Sequence, residues 1–561
     1  MNEEKKETPQ TEPPAKRFRK RYLLLLLLIP LAVILLIAIR FKMDGNIDYD
    51  VSTAGITIPK FTESDIDFTH IYKKDTAIQS TAGAVINVDN KGAEELFLGG
   101  GEGQSDVIFR FVDGSFKDIT AETGYQKESK EATMSAISLD VDENGFDDLI
   151  VTTSSDIYLY KNEGGKFTRQ KLDAKMAKGT TPFSVAVADI NRDGHFDMYV
   201  SGYIRKELIE GLNIFNKEGY GGTSALFLNN GDDTFTDITK EAGLYYKHNT
   251  FQAVFIDVDK DGLEDLIVAH DTGQVRTWKN LGNMKFKNIK NPNSEVYSYP
   301  MGIAVSDYDN DGFVDFFFSN TGTTAPAFMA SGDLRADQIY YPKWIMFHND
   351  GDFKFTDTAE KVKLANYEFS WGAVFEDFNL DGRPDLVVSE NYVDLPPHKV
   401  PFLRLPGRFM LQNTAGEFAA VGSQAGVVNK RYGISPVTAD FNLDGAPDLV
   451  HVNLAGKSKA FISNNDTTNF IKVKLPNNVR SVGAMVKATL SDGRVLHRPF
   501  VKGEGLCADS TPIITIGTDG ADVTDIEVKY LTGETITGVI EGPGSTVVFP
   551  ASAPSKAQSD K

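Results

Sequence analysis

The stretch "SDYDNDGFVDFFF", Ser306 to Phe318, places acidic residues at alternate positions of a short loop and then runs directly into three phenylalanines. Its centre fits the pattern D-x-[DN]-x-[DN]-G-x-x-D, and the same pattern recurs along the chain. The copies are "DVDENGFDD" at Asp140, "DINRDGHFD" at Asp189, "DVDKDGLED" at Asp257, "DYDNDGFVD" at Asp307, "DFNLDGRPD" at Asp377 and "DFNLDGAPD" at Asp440. A weaker relative, "NVDNKGAEE" from Asn87, precedes them, so seven heads fall at spacings of 53, 49, 68, 50, 70 and 63 residues. Periods of that size indicate a propeller or another repeat array.

Each head lies between two apolar runs, such as "SVAVA" and "DMYVS" or "QAVFI" and "DLIVA". Two strands joined by a tight loop is the natural reading, because Asp, Asn and Gly supply turn geometry. Further along come "ALFLNNGDDTFTDIT", "VRTWKNLGNMKFKNI", "WIMFHNDGDFKFTDT" and "FMLQNTAGEFAAV", each a strand, a turn and a strand. Four strands per module make a propeller blade. The expected fold is therefore all-β: a seven-bladed β-propeller over residues 55–468. The early segment "KFTESDIDF", Lys60 to Phe68, resembles a blade ending with no strands before it. It is expected to complete the last blade and so hide the edges of the ring.

Oxygen-bearing side chains at loop positions 1, 3 and 5 converge on one point when a loop curls tightly, and Gly at position 6 permits the turn. Oxygen ligands select a hard cation such as Ca2+. The closing residue is Asp at position 9 and the flanks are strands, so the loop is not an EF-hand. A turn alone needs no Asp three places after its Gly, which favours metal over a merely soluble hairpin. Up to six structural calcium sites are expected. Their ligands are Asp140, Asp142, Asn144 and Asp148; Asp189, Asn191, Asp193 and Asp197; Asp257, Asp259, Asp261 and Asp265; Asp307, Asp309, Asp311 and Asp315; Asp377, Asn379, Asp381 and Asp385; Asp440, Asn442, Asp444 and Asp448. The loops from Asp257 and Asp307 offer four carboxylates each and are expected to bind most tightly. In the degenerate head, Lys91 stands at position 5. Its ammonium could replace the metal by pairing with Asp89 and Glu95, or the loop could be an eroded solvated turn.

The 561 residues suffice for a large repeat domain plus accessories. A net charge of −20 argues against nucleic acid, which calls for clustered Lys and Arg. Cys507 is the only cysteine, so no intrachain disulfide and no CxxC site can form. The basic cluster "KRFRKR", Lys16 to Arg21, abuts an uncharged 18-residue run, Tyr22 to Ile39. That length is near the roughly 20 residues needed to cross a bilayer and exceeds a typical signal-peptide apolar core. The expected order is a cytoplasmic basic tail (1–21), a transmembrane signal anchor (22–39), a linker (40–54), the propeller (55–468), a small β domain (469–550) and a disordered tail (551–561). The Lys/Arg bias predicts a single-pass protein with its N-terminus inside and the rest periplasmic or extracellular.

The repeats resemble the FG-GAP/VCBS repeats of integrin α-subunit propellers, and that resemblance implies structural calcium. After the last module, "VGAMVKA", "GEGLCADSTP", "ITIGTDG" and "IEVKYLTGE" look like an ASPIC/UnbV domain. With "IDFTH" (Ile66 to His70) and "SWGAVFEDFNLDGRPDL", the chain is similar to the cartilage acidic protein family over roughly residues 55–550. The family implies calcium binding and adhesion or protein interaction, and transfers no catalytic residues.

The connections at the far end of the blades are enlarged at Gly202 to Gly222, Gly322 to Lys343 and Asn391 to Gly407. They carry Tyr203, Arg205, Tyr340, Tyr341, Phe402 and Arg404, a composition enriched at interfaces. A protein or glycan ligand is expected there, unless the loops merely pack on one another. No GxSxG, HExxH or Walker loop occurs. "GEGLCA", Gly503 to Ala508, fits GxGxxA but precedes no helical pattern. The alternative function is a calcium-dependent polysaccharide lyase or hydrolase on the loop-rich face, with carboxylates or His398 and Arg404 as candidates.

Overall fold

The structure is a computed structural model that describes residues 28–32, 35, 49–127, 130–209, 219–322, 334–392 and 396–551. Residues 1–47 form a unit separate from residues 48–561. In the first unit residues 28–32 and 35 are helical. The remainder of the expected span from Tyr22 to Ile39, the basic tail and the polar tail from Ser552 lie outside the described residues. Among the described residues, no helix is long and apolar enough to cross a membrane.

The second unit is built from repeated four-stranded antiparallel sheets. The first comprises Gly83–Ile86, Glu95–Leu98, Val107–Val112 and Ser115–Asp118, and the second Thr133–Leu139, Asp148–Thr153, Ile157–Asn162 and Phe167–Lys171. The third comprises Thr180–Ala188, Asp197–Ile204, Ala225–Asn229 and Phe235–Asp237; the fourth Thr250–Ile256, Asp265–His270, Arg276–Asn280 and Phe286–Ile289. The fifth comprises Ile303–Ser306, Asp315–Phe318, Ile345–Asn349 and Phe355–Asp357; the sixth Ser370–Glu376, Asp385–Glu390, Arg408–Gln412 and Phe418–Ala420. The seventh joins Tyr432–Ala439, Asp448–Leu454 and Gly456–Ser463 to the early strand Phe61–His70.

The first strand of each sheet packs on the first strand of the next, and that of the seventh packs on that of the first. The array is thus a closed, propeller-like ring. First strands such as Thr250–Ile256 are buried at every residue because sheets cover both their faces. Fourth strands, such as Phe167–Lys171, turn polar toward solvent. Burial decides this gradient: a continuous apolar run is stable only where neighbours cover it on both sides.

The C-terminal residues form two facing sheets. Phe470–Lys474 lies between Ile513–Gly517 and Thr546–Val548, and the other sheet runs in the order Val495–Pro499, Met485–Leu490, Val523–Lys529, Thr535–Thr537. Ile471, Val473, Val486, Leu496, Ile526 and Val528 fill the space between them.

From this domain the segment Lys502 to Pro512 enters the axis of the ring and touches the first strand of every sheet. Ala508 and Asp509 pair in parallel with Gly83 and Ala84. Ser138 donates to Asp509 through both its amide and its hydroxyl, at 2.9 and 3.0 Å. The Cys507 thiol lies 3.4 Å from the Phe183 carbonyl, and the Cys507 amide donates to Gln252 at 3.1 Å. Ile303 and Gly505 exchange both backbone hydrogen bonds, at 2.9 and 2.6 Å. A Cβ on Gly505, whose φ is +84°, would lie 2.7 Å from Ser435 Oγ and 3.6 Å from the Ala373 carbonyl, so only glycine fits. The "GEGLCA" motif is therefore an axial plug rather than a nucleotide loop. Burial pushes the Cys507 thiol up to about 12, which leaves it an unreactive core residue.

Ile66, on the closing strand, is fully buried against Val85, Leu96, Val437 and Val450 of the first and seventh sheets. Ile66→Ala is expected to cost about 2–5 kcal/mol in denaturant unfolding. Thr69→Ala, on the exposed side of the same strand, should stay within about 0.5 kcal/mol. Equal effects of the two changes would contradict the closure.

Candidate metal centres and the opposite face

All seven heads adopt one backbone path. The residue at position 4 is left-handed in each, with φ between 57° and 63°, and the Gly at position 6 follows at 81° to 94°. Asn90, Glu143, Arg192, Lys260, Asn310, Leu380 and Leu443 occupy position 4. A non-Gly residue held there stores about 1–3 kcal/mol, so the rest of the loop must enforce it.

The enforcement comes from two carboxylates. At position 1, Asp140, Asp189, Asp257, Asp307, Asp377 and Asp440 each accept the amide of position 5 on one oxygen and the amide of Gly at position 6 on the other. At position 9, Asp148, Asp197, Asp265, Asp315, Asp385 and Asp448 accept the amide of position 2 on one oxygen. Their other oxygen accepts an amide at the end of the third strand, from Asn162, Asn229, Asn280, Asn349, Gln412 and Ser463 respectively, at 2.6 to 2.9 Å. Position 9 thus ties together the loop, the second strand and the third strand. The sequence reading assigned it only as a metal ligand and missed this role; the recurrent Asn at the end of the third strand was the available signal.

Burial raises the position-9 carboxyls, and the backbone amides only partly oppose it. Asp265 is pushed up to about 9, Asp148, Asp315 and Asp448 to about 7, and Asp197 and Asp385 lie well above the usual carboxylate range. Such a cluster calls for a cation. Among the described residues, the oxygens of Asp140, Asp142 and Asp148, of Asp257, Asp259 and Asp265, and of Asp307, Asp309 and Asp311 each converge within 4.8 Å. Asp259 Oδ1 is buried with no hydrogen-bond partner. Hard oxygen donors of this kind fit a divalent metal ion. In the loops with Asn at position 3, the amides of Asn191, Asn379 and Asn442 donate to Asp193, Asp381 and Asp444 at 2.9, 2.8 and 2.9 Å. The same amides rotated would present oxygen instead.

The register of the third strand distinguishes the loops. One position of that strand, next to the loop, is Arg110, Lys161, Leu228, Lys279, His348, Leu411 and Ile462 in successive sheets. In the fourth sheet Lys279 pairs with both Asp259 and Asp261. In the fifth, His348 Nδ1 lies 3.4 Å from both Asp309 and Asp315, and the Asp315 carboxylate raises this imidazole to about 9. The two loops richest in carboxylate therefore carry their own basic side chain, and ligand charge alone does not rank the sites. The degenerate head follows the same rule. Lys91 is largely exposed and 3.7 Å from Asp89, whereas Arg110 reaches Asp89 at 3.0 Å and buried Glu95 at 2.5 Å. Arg110, from the third strand, holds the place that the sequence reading offered to Lys91.

The C-terminal domain sits on these hairpins. The Asp140 amide donates to the Asn477 carbonyl at 2.6 Å, and Arg480 pairs with Glu143 at 3.0 Å and reaches the Gly194 turn. A Cβ on Gly262 would lie 3.1 Å from the Leu531 carbonyl. His497 lies 3.3 Å from Asp307, Arg494 donates to the Asp381 carbonyl at 2.8 Å, and Lys472 pairs with Asp440. All six Asp-headed loops are thereby in contact with one domain.

The connections between second and third strands emerge at the other end. Of the residues expected to meet a partner there, Tyr203 is buried against Phe183 and Phe251, and its hydroxyl donates to Asp271 at 2.5 Å. It is excluded from the surface because its strand extends to Ile204 and carries it into the central apolar cluster. Tyr340 is half-buried, 2.6 Å from the Thr321 hydroxyl, and Tyr341 donates to Asp357 at 2.9 Å. Arg205 lies 4.0 Å from Glu207, and exposed Arg404 donates to the His398 carbonyl at 2.9 Å. The side chain of Phe402 and residues 210–218, 323–333 and 393–395 of the three connections lie outside the described residues.

Residues 140–200 and 257–318 match the family of FG-GAP-like repeats. Human cartilage acidic protein 1 is 26% identical over 172 residues, 30% of this chain and 24% of that protein. The Xenopus tropicalis protein of that name is 27% identical over 174 residues, 30% and 25% of the two chains. A T-cell immunomodulatory protein homolog of Plasmodium yoelii yoelii is 25% identical over 268 residues, 41% and 33%. The chain thus matches a quarter to a third of the length of these relatives. Among solved structures, BBS1N in complex with ARL6DN gives a TM-score of 0.41 at 10% identity, covering 73% of this chain and 98% of that one. The BP39L lectin of Burkholderia pseudomallei gives 0.37 at 9% identity, covering 82% and 99%.

Arg110→Leu leaves buried Glu95 without a counter-ion and is expected to cost about 3 kcal/mol in denaturant unfolding. Lys91→Ala should stay within about 0.5 kcal/mol. The reverse order would restore Lys91 as the substitute cation.

Proposed function

We propose, for a chain that carries FG-GAP-like repeats and is similar over part of its length to cartilage acidic protein 1, a membrane-anchored, exported binding module. In this reading a seven-bladed propeller, braced by Ca2+ in its hairpin loops, holds a protein or glycan ligand without catalysis on the face away from the metals. The observation that carries it is the position of the C-terminal domain on all six Asp-headed hairpins. That face is occupied from within the chain, which leaves the opposite end, with its long connections, to meet a partner.

Calcium is supported by the convergence of hard oxygen donors and by the raised carboxyls, which a bound cation returns to the charged form. Its role is structural, since the position-1 and position-9 carboxylates already organise the loop and the third strand. The apolar run from Tyr22 to Ile39 behind a basic cluster supports the anchor, with the propeller outside the cytoplasm.

Removal of calcium is expected to lower the melting temperature of the full chain by several degrees, and re-addition to restore it, as ligand binding to the native state requires. A melt unmoved by chelation would sink the structural-calcium reading. Lys279→Leu, which copies Leu228, Leu411 and Ile462, is expected to bind one more calcium per chain than the wild type at equal free calcium. A partner captured from surface glycans or proteins should be lost when the far-face connections are replaced and retained when only the metal loops are altered conservatively.

A further inference from the structure

Between the fourth sheet and its neighbours, on the face away from the metal loops, lies a cavity of about 160 Å³. Its walls hold Lys247, Arg276 and Arg335, and among the described residues no carboxylate lines it. In a chain of net charge −20 that is an inverted local balance. Among the described residues, two acids close in sequence to the lining are already committed: Asp271 accepts from Tyr203 at 2.5 Å and from Thr272 at 3.3 Å, and Asp337 faces Arg335 at 3.4 Å.

Arg276 is held rather than loose. Its guanidinium lies over the Tyr246 ring, 4.0 Å from the centroid, and among the described residues it has no carboxylate partner. Tyr246 is fixed in turn: its hydroxyl meets His270 Nε2 at 2.8 Å, and His270 Nδ1 meets the Gln274 carbonyl at 2.8 Å. A carbonyl only accepts, so Nδ1 carries the proton and Nε2 accepts from the tyrosine. His248 donates in the same way to the Asp271 carbonyl at 2.9 Å. Burial and the neighbouring Arg276 hold both imidazoles below their usual range, so they stay neutral near pH 7. The fixed positive charge is then that of Arg276 and Lys247, with Arg335 at the margin.

An arginine braced by an aromatic ring presents a planar fork that suits a carboxylate in bidentate contact. The cavity is smaller than the roughly 300–1,000 Å³ of sites that enclose a whole small molecule. It therefore suits the charged end of a larger ligand. Its remaining walls are Tyr220, Tyr297, Thr272, Gln274 and Gln338, with no aliphatic side chain. Gln274 donates to the Ser294 carbonyl, Gln338 accepts the Arg335 amide at 2.9 Å and Thr272 donates to Asp271 at 3.3 Å. The Gln274 oxygen, the Gln338 amide group and the Thr272 lone pairs are therefore the groups that match a ring bearing hydroxyls, and tyrosines add rigid amphipathic area. A peptide terminus would bring apolar side chains to a wall whose apolar surface is limited to tyrosine rings.

We propose that this cavity binds an acidic sugar at the end of a glycan, with Arg276 and Lys247 on its carboxylate and the tyrosine, threonine and glutamine groups on its hydroxyls. The assignment rests on the binding-face reading above and names its ligand class. Titration of the full chain with D-glucuronate, followed by calorimetry, is expected to saturate at one site per chain. Glucose, which lacks the carboxylate, and acetate, which lacks the hydroxyls, should each bind roughly tenfold or more weakly. Arg276→Gln should abolish measurable binding with the melting temperature kept, and Lys247→Gln, an exposed change, should weaken it several-fold. No saturation with glucuronate, or equal binding by wild type and Arg276→Gln, would overturn the proposal; tighter binding of tri-alanine through its free carboxylate would overturn the glycan assignment. If wild type and Arg276→Gln capture a partner equally well on the far face, the cavity assignment falls and the binding-face reading stands. If the wild type captures nothing there, both fall.

Discussion

The fold depends on one buried carboxylate per sheet at the end of each hairpin loop, Asp in six of them and Glu95 in the first. With one oxygen it holds the loop, and with the other it holds the third strand, across distances of 2.6 to 3.1 Å. Two hydrogen bonds to backbone amides satisfy groups that would otherwise be left bare at the end of a sheet. Removing the carboxylate would strand both donors at once. The repetition of this device explains why loops of differing composition, from "NVDNKG" to "DFNLDG", share one backbone path with left-handed residues at position 4.

That device carries a charge, and the molecule answers the charge in different ways. In the first sheet Arg110 from the third strand supplies it, and in the fourth Lys279 reaches the same region. In the fifth an imidazole does so, drawn toward the protonated form by Asp315. Where the corresponding residue is Leu228, Leu411 or Ile462, the third strand offers no basic side chain there, and the counter-charges the structure places on these loops come from the loop itself, as Arg383 against Asp381, or from the C-terminal domain. Lys472 against Asp440 is an example of the latter. Burying several carboxylates together favours either a proton on the group or a counter-charge beside it, and the third strand supplies that charge in the first, fourth and fifth sheets.

The C-terminal domain is bound to the ring twice, by the plug in the axis and by its footing on the hairpins. The plug closes the axis with Leu506 and Cys507 in the apolar layer that Phe183, Phe251, Trp371 and Ile434 contribute. The footing occupies the metal-loop end. Together these leave the far end uncovered by the C-terminal domain, and there Lys247, Arg276 and Arg335 line one cavity.

How much of this was legible in the residues differs by feature. The repeat period, the strand–loop–strand units, the hard-oxygen loops and the closing strand from Phe61 were all readable, because each depends on spacing within a few residues or on alternation along one strand. The roles of Arg110, Lys279 and His348 were not, since they sit 15 to 39 residues from the carboxylates they meet and only strand register brings them there. The burial of Tyr203 was hidden for the same reason: the pattern marks a tyrosine at a loop, while the length of its strand decides whether it faces water or the core. The sequence by itself therefore determined the modules and their donor chemistry, and the tertiary structure decided which charge meets which, which face is covered and where the plug ends. Charge pairing and burial act through space, and the chain order records only distance along the backbone.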